Sequence, residues 1–270
     1  MLRKVLAICT LLAAIVAGIS TPNVATAQER NMVIFGDSVI SDGNVVETLK
    51  NEDPNVLCVT SDNSYAEQAA RHLGLVTHNY SCSGTITFSG AGTNIQAQMP
   101  VQVQMALDDG ALNAATERVV LTVGFNDTYN NVNISDAEVR QRFVDAMVPQ
   151  IERIRAAAPN ARIQLVGYAS ITDQSNVCLF HVIPNIHDTI PGPLVVYWEN
   201  QAQWMNVDLA VATGVEFVDL KPLTYGHSMC ANDEDRYWGG LVDLTGSPFN
   251  MPVHLNQKGH EVVGEYLASI

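Results

Sequence analysis

Positive charge is scarce in this chain. Its 14 lysines and arginines stand against 28 aspartates and glutamates, a formal net charge of -14, whereas affinity for a phosphate backbone rests on clustered cationic side chains. A nucleic-acid partner is therefore not expected. Charged residues of both signs make up only 16% and hydrophobic residues 47%, the reverse of a disordered composition. The sequence also lacks a C-x-x-C pair and an H-E-x-x-H helix, and His260-Glu261 has no second histidine at the required spacing. His181, His187, Asp188 and His227 fit no zinc pattern, and Gly90-Ala91-Gly92 lacks the third glycine and the strand-to-helix setting of a dinucleotide loop. Neither a metal nor a cofactor is expected.

Long apolar runs are missing too, except at the start. Arg3 and Lys4 precede an apolar stretch from Val5 to Ile19, shorter than the roughly 20 residues that span a bilayer, and Ala25-Thr26-Ala27 supplies a small-x-small cleavage pattern. This predicts a secretory signal peptide over 1–27, cleaved after Ala27, and a single exported domain over 28–270 without a transmembrane segment. Loss of Arg3 and Lys4 with the leader takes the net charge two below -14. Cys9 leaves as well, and Cys58, Cys82, Cys178 and Cys230 remain, an even number suited to an oxidising compartment. Four cysteines allow three pairings. The sequential one, Cys58 with Cys82 and Cys178 with Cys230, is expected because each bond then closes a local excursion, with free thiols as the alternative.

Beyond the leader, short β-rich runs alternate with helical stretches, which predicts an α/β fold around a mainly parallel sheet. Strands are expected at 32–35, 76–80, 118–123, 161–168 and 215–220. Helices are expected at 61–74, 136–158 and 257–269, the second kinked at Pro149. Several of these strands end in glycine or polar residues, and the carboxyl edge of such a sheet is where an open α/β fold places its ligand.

Four features lie at such edges. Gly36-Asp37-Ser38 follows the first strand and holds a serine on an exposed turn, a setting suited to a nucleophile. Gly124-Phe125-Asn126-Asp127 follows the strand at 118–123, and its asparagine amide is a neutral donor suited to a developing oxyanion. Gly84, in Ser81-Cys82-Ser83-Gly84-Thr85, offers a bare backbone amide. His254 stands just before the last helix. Each alone is ordinary turn chemistry or a solvated histidine; their order along the chain is what makes them specific.

With these four motifs the sequence resembles the SGNH or GDSL hydrolases, in particular their secreted, disulfide-containing bacterial lipase and esterase branch, to which Gly226-His227-Ser228-Met229-Cys230 is also similar. The resemblance covers most of the chain beyond the leader and implies a flavodoxin-like three-layer α/β/α fold and cofactor-free hydrolysis of carboxylic esters. It implies Ser38 as nucleophile, His254 as general base and then acid, and an oxyanion hole formed by the Ser38 amide, the Gly84 amide and the Asn126 side chain.

One position departs from the pattern. The family has aspartate three residues before its histidine, and here that residue is Met251. The Met251 carbonyl is expected to orient His254 instead, with Asp243 as the alternative. Thr172 to Trp198, long and apolar for a connection, could line an acyl pocket or form a lid, as could Trp238. The expected protein is a monomeric, secreted esterase or lipase acting on a small-molecule or lipid acyl ester. A carbohydrate O-deacetylase of the same fold is one alternative, and a catalytically weak binding module motivated by Met251 is the other.

Overall fold

The computed structural model describes residues 29–53, 56–90, 94–246 and 249–270. The leader expected over 1–27, with Cys9, lies outside the described residues, as do Ala91 and Gly92. In chain order the elements begin with β1 (Asn31–Gly36), α1 (Ser38–Ser41), α2 (Val45–Lys50), α3 (Tyr65–Leu73), β2 (Val76–Asn79) and α4 (Met99–Asp108). They continue with β3 (Thr116–Thr122), α5 (Phe125–Tyr129), α6 (Asp136–Ala157) and β4 (Arg162–Val166). Four short strands follow, β5 (Asn176–Val177), β6 (Phe180–Ile183), β7 (Ile186–His187) and β8 (Ile190–Pro191). The chain closes with α7 (Pro193–Thr213), β9 (Glu216–Val218), α8 (Lys221–Thr224), β10 (Val242–Asp243) and α9 (Gln257–Ser269).

β1 is buried at every residue, as a strand covered on both faces must be. It lies inside an all-parallel five-stranded sheet of order β2-β1-β3-β4-β9. Because successive side chains point to opposite faces, Met32 and Ile34 join one core with Tyr65, Ala66 and Ala69 of α3 and Val263 and Leu267 of α9. Val33 and Phe35 join the other, with Val103 of α4, Phe143 and Met147 of α6 and Leu209 of α7. The result is the three-layer α/β/α architecture. Each fully buried aliphatic or aromatic side chain here stabilises by roughly 1.5–3 kcal/mol relative to exposure.

One feature differs from the sequence expectation. The stretch read as a connection ends in α7, which starts with Pro193 in its first turn and stops at Gly214 in a left-handed conformation; only its first part, with the short strands β5 to β8, is irregular. α6 spans Asp136–Ala157 with Pro149 inside it.

The structure pairs Cys58 with Cys82 and Cys178 with Cys230, closing separations of 24 and 52 residues. In the chain-entropy model such loops stabilise by about 3 and about 4 kcal/mol. The second bond ties β5 and β6 to the segment before β10. Replacing both its cysteines by alanine is expected to lower the unfolding free energy by about 4 kcal/mol in urea titrations; unchanged stability would contradict the loop-closure account.

Candidate active site

The site begins where β1 stops. Gly36 has φ +135, and a Cβ there would lie 2.1 Å from the Thr122 carbonyl oxygen, so only glycine lets the chain turn this close to β3. The next amide, of Asp37, donates to that carbonyl at 2.9 Å. Gln102, buried on α4, grips the same turn: its Oε1 accepts from the Gly36 amide at 2.9 Å, while its Nε2 donates to the Gly36 carbonyl at 3.0 Å and to Thr85 Oγ1 at 2.7 Å. Asp37 then caps α1 by accepting from the Val39 amide at 3.0 Å. Ser38 is the first residue of this fixed helix turn.

His254 comes from the loop before α9. Its Nε2 lies 2.7 Å from Ser38 Oγ and its Nδ1 2.7 Å from the Pro252 carbonyl. A carbonyl only accepts, so the ring proton resides on Nδ1 and the Nε2 lone pair receives the serine hydroxyl. This corrects the expectation for Met251. Val253 takes φ +54, which turns the chain so that the carbonyl two residues before His254, rather than three, meets the ring. The Met251 carbonyl accepts from Asn250 Nδ2 at 3.0 Å.

Asp243, the other residue considered for this task, is committed elsewhere. It accepts from Arg236 through both oxygens and from the Gly240 and Gly246 amides. Although burial works against its charge, these donors hold its carboxyl at about 2. Burial lowers the His254 pKa below the ordinary 6.5; the Pro252 carbonyl and Asp42 act in the opposite direction, and His260 adds to the lowering.

Gly124, at φ +120, ends the β3 edge with room for no side chain, since a Cβ would sit 3.0 Å from the Phe143 ring. Asn126 on α5 donates from Nδ2 to the Thr85 carbonyl at 2.9 Å and accepts from the Tyr129 hydroxyl through Oδ1. A primary amide has two N–H donors, so one remains beyond the Thr85 bond. Asp127 is buried and clamps the adjoining loop, accepting from the Thr87 amide and hydroxyl at 2.9 and 3.0 Å and from the Ser89 amide and hydroxyl at 3.2 and 2.5 Å. Burial raises its pKa and these donors oppose the rise.

Ser38, Asn126 and His254 line one cavity of about 380 Å³. Its walls are apolar, among them Phe125, Ile171, Val177, Leu179, Val195, Trp198 and Trp238. Val177 and Leu179 flank Cys178, and Val195 and Trp198 come from α7. Gly84 is not among the lining residues. It borders a neighbouring, more polar depression with Ser83, Ser89 and Asn130.

Tyr168, just beyond β4, was not singled out by any motif. It is buried, its hydroxyl donates to Asp37 Oδ2, and it accepts from the Phe125 amide at 3.0 Å. One phenol thus bridges the turn that carries Ser38 and the turn that carries Asn126. The only signal in sequence was its place at the carboxyl edge of a strand.

Burial pushes the Asp37 carboxyl up from 3.8 to about 7, against the hydrogen bonds from Tyr168 and Val39 and with the help of the nearby Asp127 charge. A carboxyl raised in the folded state binds its proton more tightly there than in the unfolded chain. Its contribution to stability is therefore complete below the unfolded value near 4 and is lost as pH rises to about 7, on the order of 4 kcal/mol. Asp37→Asn removes this dependence, so the wild-type and variant stability curves from urea unfolding are expected to converge or cross between pH 4 and 8; parallel curves would contradict the assignment.

Residues 34–262 match the GDSL-like Lipase/Acylhydrolase family. By sequence the chain is 25% identical over 283 residues to Lipase 2 of Streptomyces coelicolor, covering 93% of this chain and 90% of that protein. By structure it is similar to phospholipase A1 from Streptomyces albidoflavus, with TM-score 0.58, 19% identity and coverage of 88% of this chain and 97% of that one. It is also similar to an extracellular lipase from Streptomyces rimosus, with TM-score 0.58, 18% identity and coverage of 88% and 98%. A carbohydrate acetylesterase from Sinorhizobium meliloti shares the fold at TM-score 0.54, 14% identity and coverage of 89% and 97%. The family match runs from within β1 to within α9 and so takes in the turns of Ser38, Gly84, Asn126 and His254 together, and the chain belongs to the GDSL-like lipase/acylhydrolase family as a carboxylic ester hydrolase of the SGNH hydrolase fold.

Proposed function

We propose that the protein is a secreted serine esterase or lipase that cleaves acyl esters through a Ser38–His254 dyad and a covalent acyl-enzyme. The observation that carries this is the 2.7 Å contact between Ser38 Oγ and His254 Nε2, with the opposite ring nitrogen tied to a carbonyl. In the first half-reaction Ser38 Oγ bonds to the ester carbonyl carbon while its proton passes to Nε2. The tetrahedral intermediate then collapses, and the alcohol departs carrying that proton. In the second, water gives a proton to Nε2, its oxygen bonds to the acyl carbon, and Ser38 leaves with the proton returned.

The developing oxyanion would be met by the Ser38 amide and by the Asn126 N–H that the Thr85 carbonyl does not use. Gly84 is the third proposed donor. Its turn is linked to Asn126 through the neighbouring Thr85, although it borders the adjacent depression rather than the cavity. Asn126→Ala is expected to reduce kcat by 10²–10³, about the cost of one oxyanion donor elsewhere, with KM changing much less; an equal rise in KM at constant kcat would contradict the role.

The apolar lining favours a substrate with an aliphatic or aromatic acyl chain over an acetylated carbohydrate, because burying methylenes there gains about 0.8 kcal/mol each. Across p-nitrophenyl esters from acetate to palmitate, kcat/KM is expected to rise from acetate to a medium chain length, and Ser38→Ala is expected to abolish turnover. Activity confined to acetate would favour the deacetylase reading, and a flat absence of turnover the binding-module reading. Export is supported by the two disulfides, which persist in oxidising compartments, and by the leader pattern over 1–27. No described helix is long and apolar enough to cross a membrane.

A further inference from the structure

Pro252 orients His254 but brings no charge, and the imidazolium formed during acyl transfer is more stable beside an anion. Asp42 is a carboxylate that the fold buries near Ser38, the partner of His254. It ends α1, one turn after Ser38, and its amide donates to the Ser38 carbonyl at 3.1 Å. It is held in the left-handed region at φ 46, a conformation that costs a non-glycine residue energy and persists where the surroundings impose it.

The side chain is 7% exposed. Its Oδ2 accepts from Asn44 Nδ2 at 3.3 Å, and its Oδ1 is buried with no hydrogen-bond partner. His260 Nε2 lies 3.6 Å from Oδ1. The other nitrogen of that ring, Nδ1, accepts from the Tyr65 amide at 3.2 Å, so in the neutral ring the proton is on Nε2 and faces the carboxylate. The buried charge of Asp42 is therefore not cancelled by a formal cation in this arrangement.

We propose that Asp42 is a positioning residue for the reaction, supplying through space the negative charge that the segment before His254 lacks. This rests on the Ser38–His254 reading. The other charged groups nearby do not serve. Lys50, which lines the same depression as Asp42, is paired with Glu47 at 2.9 Å, and Asp37 on the cavity side is bound to Tyr168 and the Val39 amide. The electrostatic pull on His254 has the expected sign: Asp42 raises its pKa.

Asp42→Asn removes the charge at nearly constant volume. The acidic limb of kcat/KM, which reports His254 in the free enzyme, is expected to move to lower pH by about half a pH unit or more, with kcat down about 10-fold. Asp42→Glu is expected to restore the limb. A purely structural role would lower thermal stability and leave the limb in place, and an Asp42→Asn enzyme with wild-type kcat and limb overturns the proposal. Should that variant not fold, Asp42→Ser gives the readout: the limb is again expected at lower pH, and an unmoved or raised limb overturns the proposal. Ser38→Ala assayed in parallel separates the two levels. If it retains turnover, the dyad reading and the proposal both fall. If it is inactive while the Asp42→Asn limb stays fixed, the proposal alone falls.

Discussion

Everything at the carboxyl edge of the sheet depends on how β1 ends. Gly36 takes a backbone angle that brings it against the Thr122 carbonyl, and the 2.9 Å bond from the Asp37 amide to that carbonyl fixes the turn to β3. Gln102 then holds both polar groups of Gly36 from the opposite side and reaches Thr85 in the Gly84 turn. The place of the Ser38 hydroxyl is therefore set by backbone geometry in the centre of the molecule rather than by side-chain packing at its surface. Tyr168 extends the same frame to the Asn126 turn. This is how four segments far apart in sequence can present a hydroxyl, an amide and an imidazole with little freedom left to lose when substrate binds.

Charge around the cavity is restrained. Its walls are apolar, and the carboxylates around it are each restrained: Asp127 by the Thr87 and Ser89 donors, Asp37 by Tyr168 and Val39, and Asp243 by Arg236. In such a setting a hydrogen bond or a charge acts more strongly than in water, which gives a neutral carbonyl at Pro252 enough reach to fix the histidine tautomer. In the proposed mechanism it would also leave the imidazolium dependent on whatever anion the fold retains nearby. The protein is acidic overall, so charge alone is not expected to bring it to an anionic lipid surface. The apolar walls of the cavity are the feature that would.

Much of this was legible in the sequence because the fold writes its site at strand ends. The β-branched run before Gly124 and the apolar run before Gly36 identified β3 and β1, and with them Ser38 and Asn126. What stayed hidden has physical reasons. α7 is apolar around much of its circumference, with Ala202, Met205 and Leu209 buried while Leu194, Trp204 and Val211 are exposed, so its 3.6-residue period was weak and the segment read as a connection. Pro252 could not be chosen over Met251 from spacing, because the choice is made by one positive φ at Val253. Tyr168 belongs to no motif; its role exists only where β1, β3 and β4 come side by side. Asp42 belongs to no motif either; only its burial sets it apart.

In the proposed mechanism Ser38 forms a covalent bond to the acyl group, and His254 makes this possible. The most direct measurement is intact-mass and peptide mass spectrometry after incubation with a p-nitrophenyl phosphonate ester, which leaves a stable adduct on an activated serine. The mechanism predicts one adduct, on the peptide that contains Ser38, with its rate of formation sharply reduced in His254→Ala. An adduct on a different residue, or undiminished labelling without His254, would contradict it.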